Sequence, residues 1–317
     1  MPPDTPSPDS ILRLGCGAWA ARALHSAVRL DLFTRLSGAE LDGEALAERL
    51  SLHPRGARDY LDALVSLGLL ERRDGLYRNA PGAAAWLDRG RPGYLGELVA
   101  AFDAGETDPL TDALRTGRAS TGVAPGADDA LHRRALGRAL AERLLGDDGD
   151  ATVVDLGCGA GGLLAGCAET APGMRGIGFD APHRRAGFEA AARADGLDGR
   201  LSFVPGDVFA DAWPDGDVLV LAEALPRHGL EEKHLLLARA HAALRPGGKV
   251  AVLDAMIDDG RRAHVPALLA SLAALARTPA GFAYTAAECA RWLRDAGFRA
   301  VETHAAGPAH TLVTALR

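Results

Sequence analysis

The residues with most chemistry in reach lie in "VVDLGCGAGG", Val153 to Gly162, where an apolar run breaks into four glycines. Glycine lets a backbone turn tightly and approach a ligand with no Cβ in the way. The helix that should follow would offer free N–H groups to a polar or anionic ligand. Asp155, two residues before the first glycine, could attract a positive charge. Asp180 closes the next apolar run, "IGFD", and Asp207 follows a third in "VPGDVF". A second stretch, "DVLVLAEALPRHGLEEKH" from Asp217 to His234, sets Glu223 just after an apolar run and His228 five residues on. A carboxylate there could take an amine or a hydroxyl. An imidazole with a pKa near 6.5 suits a base at neutral pH.

Two kinds of element must position these groups. From about Ile11 to Ala119 the chain reads as helix after helix, with apolar residues at helical spacing in "LGCGAWAARALHSAVRLDLFTRL". "DGEALAERLSLHPRGARDYLDALVSLGLLERRDGLYRNA" adds helix, turn, helix and a hairpin at Asp74-Gly75, a winged-helix pattern. "STGVAPGADD" is a natural boundary, giving domains over 11–120 and 121–317. Beyond it, seven apolar runs alternate with helical segments. The expected fold class is α/β, a mainly parallel, doubly wound Rossmann-like sheet behind a helical N-terminal domain. "MPPDTPSPDS" reads as a disordered lead without a signal core.

Composition removes several functions. Of 317 residues, 48 % are apolar, and the formal net charge is −7. Residues 1–120 carry 14 arginines and 17 acidic residues, a net of −3, so the winged helix is expected to be structural or dimerising. Only Arg55, Arg58, Arg72 and Arg73 suggest a basic patch. No nucleic-acid or membrane partner is expected, as no apolar stretch approaches a membrane span. Cys16, Cys158, Cys167 and Cys289 form no CxxC pair and fit reduced thiols in a cytoplasmic protein. His234 and His241 share a helix face without the i, i+4 partner of a zinc helix, so no metal is expected.

The glycine loop alone is ambiguous. Gly157, Gly159 and Gly161 fit the GxGxG of S-adenosylmethionine (SAM) enzymes, and Gly157, Gly159 and Gly162 the GxGxxG of dinucleotide enzymes. Asp155, suited to the methionine ammonium, and Asp207, suited to the adenine edge, weigh towards SAM. Asp180, suited to ribose hydroxyls, serves both readings. The order DLGCGAG, GFD, PGDVF, LRPGGKVAVLD behind a winged-helix half resembles the SAM-dependent small-molecule O-methyltransferases, which include plant phenolic, acetylserotonin and bacterial polyketide-tailoring enzymes. The resemblance runs from about Leu14 to Leu316. It implies a class I methyltransferase fold, a homodimer formed by the N-terminal half, and a small-molecule substrate. It also implies that Asp155, Gly157, Gly159, Asp180, Asp207 and Val208 hold SAM.

One position departs from the family. Its "LHDW" places a histidine base after the fourth strand, and here Pro226 stands at that histidine, with His228 on the tryptophan. His228 and Glu223 are the replacement candidates, each weighed against an ordinary loop role. Positioning alone can carry a transfer that supplies about 7–11 kcal/mol from orientation, against roughly 3–5 kcal/mol from a base. "HVPALLASLAALARTPAGF", with Ser271, would line an apolar pocket for a bulky or aromatic substrate by resemblance. Tyr284 and Trp292 would line it or pack the domain. The main expectation is a methyltransferase in natural-product biosynthesis, its acceptor atom open. The alternatives are a SAM-binding member turned to cyclisation, decarboxylation or hydroxylation, and a ligand-sensing winged-helix regulator.

Overall fold

The computed structural model describes residues 7–101, 109–119, 130–145, 149–307 and 309–317. It divides into two compact units, the first comprising residues 1–125 and 257–285, the second 126–256 and 286–317. Residues 257–285 therefore depart from the continuous second domain read from the sequence. The boundary stretch 120–129 lies outside the described residues.

In the first unit, strands β1 (Leu41–Asp42), β2 (Leu70–Arg73) and β3 (Leu76–Asn79) form an antiparallel sheet in the order β1-β3-β2. Asp74 and Gly75 turn the hairpin with φ of 50° and 81°, as a two-residue primed turn requires. Helix Gly43–Leu50 is capped by Asp42, which accepts from Ala45 N at 2.8 Å, and helix Pro54–Ser66 opens on its proline. Helix Val265–Arg277 packs on helices Pro54–Ser66 and Pro109–Thr116. The winged-helix order is present. The four arginines are not a free patch, however. Arg55 donates to the carbonyls of Gly117 and Thr278, Arg72 to Asp62 and the Gly260 carbonyl, Arg58 lies 4.0 Å from Asp62, and Arg73 lies 3.7 Å from Glu71.

The N-terminal lead needs correction. Residues 1–6 are outside the described residues, but Pro8–Gly15 is a helix with Pro8 in its first turn and Ser7 as its cap, accepting from Ser10 N at 3.2 Å. Ser-Pro before an apolar i, i+3 pair, Ile11 and Leu14, is a helix start. The next segment divides as well, into Gly17–Arg29 and Leu32–Arg35, at Asp31 with φ of 57°.

The second unit holds a seven-stranded sheet ordered β6-β5-β4-β7-β8-β10-β9. Its strands are β4 (Thr152–Leu156), β5 (Arg175–Asp180), β6 (Leu201–Pro205), β7 (Val218–Ala222), β8 (Lys249–Asp254), β9 (Arg299–Ala306) and β10 (His310–Leu316). β4 to β8 pair in parallel, and β10 runs antiparallel between β8 and β9. The central strands are apolar almost throughout because helices cover both faces. The strand order reverses beside β4, so the carboxyl ends of β4, β5 and β7 meet at the ligand edge of such a sheet. Helix Ala130–Leu144 lies tightly on helix Gly162–Thr170. A Cβ on Gly137 would come within 2.0 Å of the Leu163 carbonyl oxygen, and one on Gly166 equally close to that of Arg134. This contact brings the first turn of Ala130–Leu144 to the ligand edge.

Candidate active site

β4 ends in the glycine loop. Gly157, Gly159 and Gly161 take φ of 81°, 56° and 83°, a region that side chains with a Cβ resist. A Cβ on Gly157 would meet nothing within 4 Å, so the loop faces open space there. Asp180, at the end of β5, clasps the loop: Oδ2 accepts from Gly159 N at 2.8 Å and Oδ1 from Ala181 N at 2.7 Å. Each oxygen keeps a lone pair for a ligand hydroxyl. Asp207, beyond β6, is exposed, and its Oδ1 accepts from Phe209 N at 2.7 Å and Ala210 N at 3.2 Å, shaping the turn that carries Val208. An open cradle at Gly157 and an acceptor carboxylate at Asp180 fit the sugar and methionine backbone of SAM.

Asp155 is placed differently from the expectation. Its carboxylate is fully buried and accepts from Arg133 at 3.0 and 3.3 Å. Burial raises the Asp155 carboxyl, opposed by the Arg133 charge. Arg133 also donates to the Ala222 carbonyl at 3.1 Å, tying helix Ala130–Leu144 to the ends of β4 and β7.

Comparison with known proteins gives the family. Residues 147–299 match the O-methyltransferase domain and residues 12–89 the O-methyltransferase dimerisation domain. The tetracenomycin polyketide synthesis 8-O-methyl transferase of Streptomyces glaucescens is 41 % identical over 96 % of this chain and 95 % of its own length. The chain belongs to the O-methyltransferase family. It is a SAM-dependent methyltransferase, and the winged-helix half carries the family's dimerisation domain. The 3-hydroxy-5-methyl-1-naphthoate 3-O-methyltransferase of Streptomyces sahachiroi is 33 % identical over 95 % of this chain and 92 % of its own. An O-methyltransferase family 2 protein from Planctomyces limnophilus, solved with apigenin, shares the fold with a TM-score of 0.84 at 24 % identity, over 99 % of this chain and 97 % of that one.

In the methyltransferase, residues 223–234 follow β7. Pro226 opens a short 3-10 turn, Leu225–Arg227, and offers no titratable group. His228 is engaged by its neighbours: its Nδ1 lies 3.3 Å from Glu232 Oε2, and its ring meets Phe209 edge-on at 5.1 Å. Burial lowers its pKa, and Glu232 only partly offsets that. Phe209 adjoins Val208, so His228 stands beside the turn after β6. Glu223, the other candidate, has φ of 54° and a carboxylate already engaged by His310, His132 and Arg133, at 3.2, 3.6 and 3.9 Å. Burial would raise the Glu223 carboxyl, but the two histidine hydrogen bonds and the His310 and Arg133 charges hold it well below the carboxylate range.

Ser271 is 1 % exposed, donates to Asp59 and accepts from Ala283 N at 2.9 Å, so its hydroxyl serves the first unit's packing. Tyr284 and Trp292 are buried at 1 % and 4 % exposure, and Trp292 meets His234 edge-on at 5.8 Å. His241 packs on Phe298. Sequence reasoning missed Arg133, His132 and His310. No spacing rule reaches them, because their partners lie 22, 91 and 87 residues away.

Proposed function

We propose that the protein methylates a phenolic hydroxyl of an aromatic polyketide-type small molecule, and that its site works mainly by positioning. The observation that carries the substrate class is the 41 % identity, along nearly the whole chain, to a tetracenomycin polyketide 8-O-methyl transferase, supported by the naphthoate 3-O-methyltransferase. Bound SAM supplies an electrophilic methyl group on a sulfonium.

The chain's residues have separable tasks in this reading. Gly157 and Gly159 leave room for the cofactor and present backbone groups to it. Asp180 accepts from the ribose hydroxyls with the lone pairs left by Gly159 and Ala181. Asp207 holds the turn that sets Val208 against the adenine. Asp155 acts through Arg133, fixing the guanidinium beside the loop. Pro226 supplies no base, and His228 stands against Phe209 at the adenine end. A phenol fits such a site because its oxygen is already far more acidic than an alcohol's, so orientation, worth about 7–11 kcal/mol, outweighs the missing base.

The protein is a homodimer through its dimerisation domain, and Ile11, Leu14, Trp86, Leu95 and Leu98 supply exposed apolar surface for the contact. A cytoplasmic location belongs to the same proposal and is supported by the four unpaired cysteines. No described helix is long and apolar enough to cross a membrane.

The test is incubation with SAM and hydroxylated naphthoate or tetracenomycin-type acceptors, followed by mass spectrometry. The expected result is S-adenosylhomocysteine in equal amount to an O-methylated product. SAM-dependent conversion of the acceptor without S-adenosylhomocysteine would instead favour a repurposed reaction.

A further inference from the structure

Three side chains that the glycine loop does not use converge at the ligand edge of the seven-stranded sheet. His132 comes from the first turn of helix Ala130–Leu144, Glu223 from the residue after β7, and His310 from the first residue of β10. His310 Nε2 lies 3.2 Å from Glu223 Oε1, His132 Nε2 lies 3.6 Å from the same oxygen, and the two Nε2 atoms are 3.5 Å apart. The three atoms make a nearly equilateral triangle. Donors around a tetrahedral zinc ion, with bonds of about 2.0–2.2 Å, stand roughly 3.3–3.6 Å apart.

Hydrogen bonding alone explains each imidazole's approach to the carboxylate. It explains less well why the imidazoles meet at their Nε2 corners, with rings 4.8 Å apart and tilted by 53°. Two N–H groups aimed at one oxygen set like dipoles side by side. A cation at the common focus would face three lone pairs instead.

The surroundings are built to hold the triangle. Glu223 adopts a left-handed φ of 54° although it carries a Cβ, a strain that persists where the surroundings enforce it and that clusters at functional sites. Its outer oxygen, Oε2, is 3.9 Å from Arg133, which is fixed by Asp155 and the Ala222 carbonyl. Oε1 is thereby left for the two histidines, as outer-shell partners orient a ligating carboxylate. The positive Arg133 is balanced by Asp155 and Glu223, so a dication would not enter an already positive site. His310 is buried and His132 half-buried, giving one anchored and one accessible ligand.

We propose that His132, Glu223 and His310 bind a divalent transition metal of the zinc type, with a further coordination position open to water or an oxygen ligand. Two imidazoles and one carboxylate suit zinc, cobalt or ferrous iron, whereas magnesium and calcium take oxygen donors. The expectation of no metal rested on local spacing, and this trio has none, its members spanning 178 residues. The inference does not depend on the methyl-transfer reading.

The test uses cobalt(II) as the probe, titrated into the full-length, tag-free, chelator-treated protein. Calorimetry and ligand-field absorption should both show one saturable site per chain. Zinc should displace cobalt, and magnesium at the same concentration should not. His132→Ala, at the accessible ligand, and Glu223→Gln should each weaken binding at least about tenfold, while His234→Ala should leave it unchanged. Circular dichroism identifies any variant that fails to fold, and His132→Ala remains informative if His310→Ala does not fold. Absence of a saturable site, equal binding by folded His132→Ala, or intense thiolate-to-cobalt charge-transfer bands would overturn the proposal.

Discussion

The replacement of a titratable residue by Pro226 makes His228 the side chain with most at stake. Its imidazole bonds to Glu232 and packs on Phe209, so it supports the turn after β6. His228→Ala should lower the chemical rate less than about tenfold, because a loop contact and no base is lost; a loss of 10²–10⁴-fold with unchanged SAM affinity would mark it as the base. Pro226→His should bring little gain on an acidic phenol. The pH behaviour follows from burial. The folded pKa of His228 is depressed, so the folded protein binds this proton less readily than the unfolded chain. Its contribution to stability is present above the unfolded value, about 6.5, and is lost as pH falls through the folded value. Urea midpoints of wild type and His228→Gln should therefore draw closer together or cross between pH 7.5 and 5.5, with the wild type falling more. At this scale the sequence displayed what is contiguous. The glycines, Asp180 and Asp207 could be found because each ends an apolar run. Arg133, His132 and His310 could not, because the helix turn and the antiparallel strand that carry them are brought to Asp155 and Glu223 only by the fold.

Helix Ala130–Leu144 reaches the site because two glycines let it lie against helix Gly162–Thr170. Gly137→Ala and Gly166→Ala each drive a Cβ into a backbone carbonyl of the other helix. Each should cost about 1–3 kcal/mol, seen in thermal or urea unfolding, and should weaken SAM binding by displacing Arg133. Unchanged stability in both would contradict this packing. In the first unit, Asp62 is fully buried and accepts from Arg72, from Tyr77 at 2.8 Å and from Arg261 at 2.6 Å. Burial and the Asp62 charge push the Tyr77 hydroxyl up to about 12. Asp62→Ala would leave the buried Arg261 with Asp59 alone and take an acceptor from Arg72 and Tyr77, and should cost about 3–5 kcal/mol. The elements themselves were largely legible: the hairpin at Asp74-Gly75, the helix after Pro54 and all seven strands of the large sheet stand where periodicity puts them. Helix Pro8–Gly15 was hidden by the prolines before it, which hold few apolar neighbours yet supply a cap and a first turn. The packing of Ser271 and of residues 257–285 within the first unit was not legible for a different reason. An apolar helix announces burial, but its sequence does not say which unit it will pack against.

For the whole molecule, the dimerisation domain and the exposed Ile11, Leu14, Trp86, Leu95 and Leu98 predict a sedimenting species of twice the chain mass at micromolar concentration. The pair Leu14→Asp and Leu98→Asp should shift it towards the single-chain mass while far-ultraviolet circular dichroism stays unchanged. The negative balance of the N-terminal half, and the partners held by Arg55, Arg58, Arg72 and Arg73, predict no salt-dependent duplex DNA binding. The central claim is that the carboxyl edge of β4, β5 and β6 holds SAM through the glycine loop and Asp180. Calorimetric titration of S-adenosylhomocysteine into wild type and Asp180→Ala tests it most directly. The account predicts one site per chain in the wild type and binding weakened by about 1.5–3 kcal/mol in the variant, the scale of a charge-assisted hydrogen bond. No binding by the wild type, or equal affinity in a folded Asp180→Ala, would contradict it.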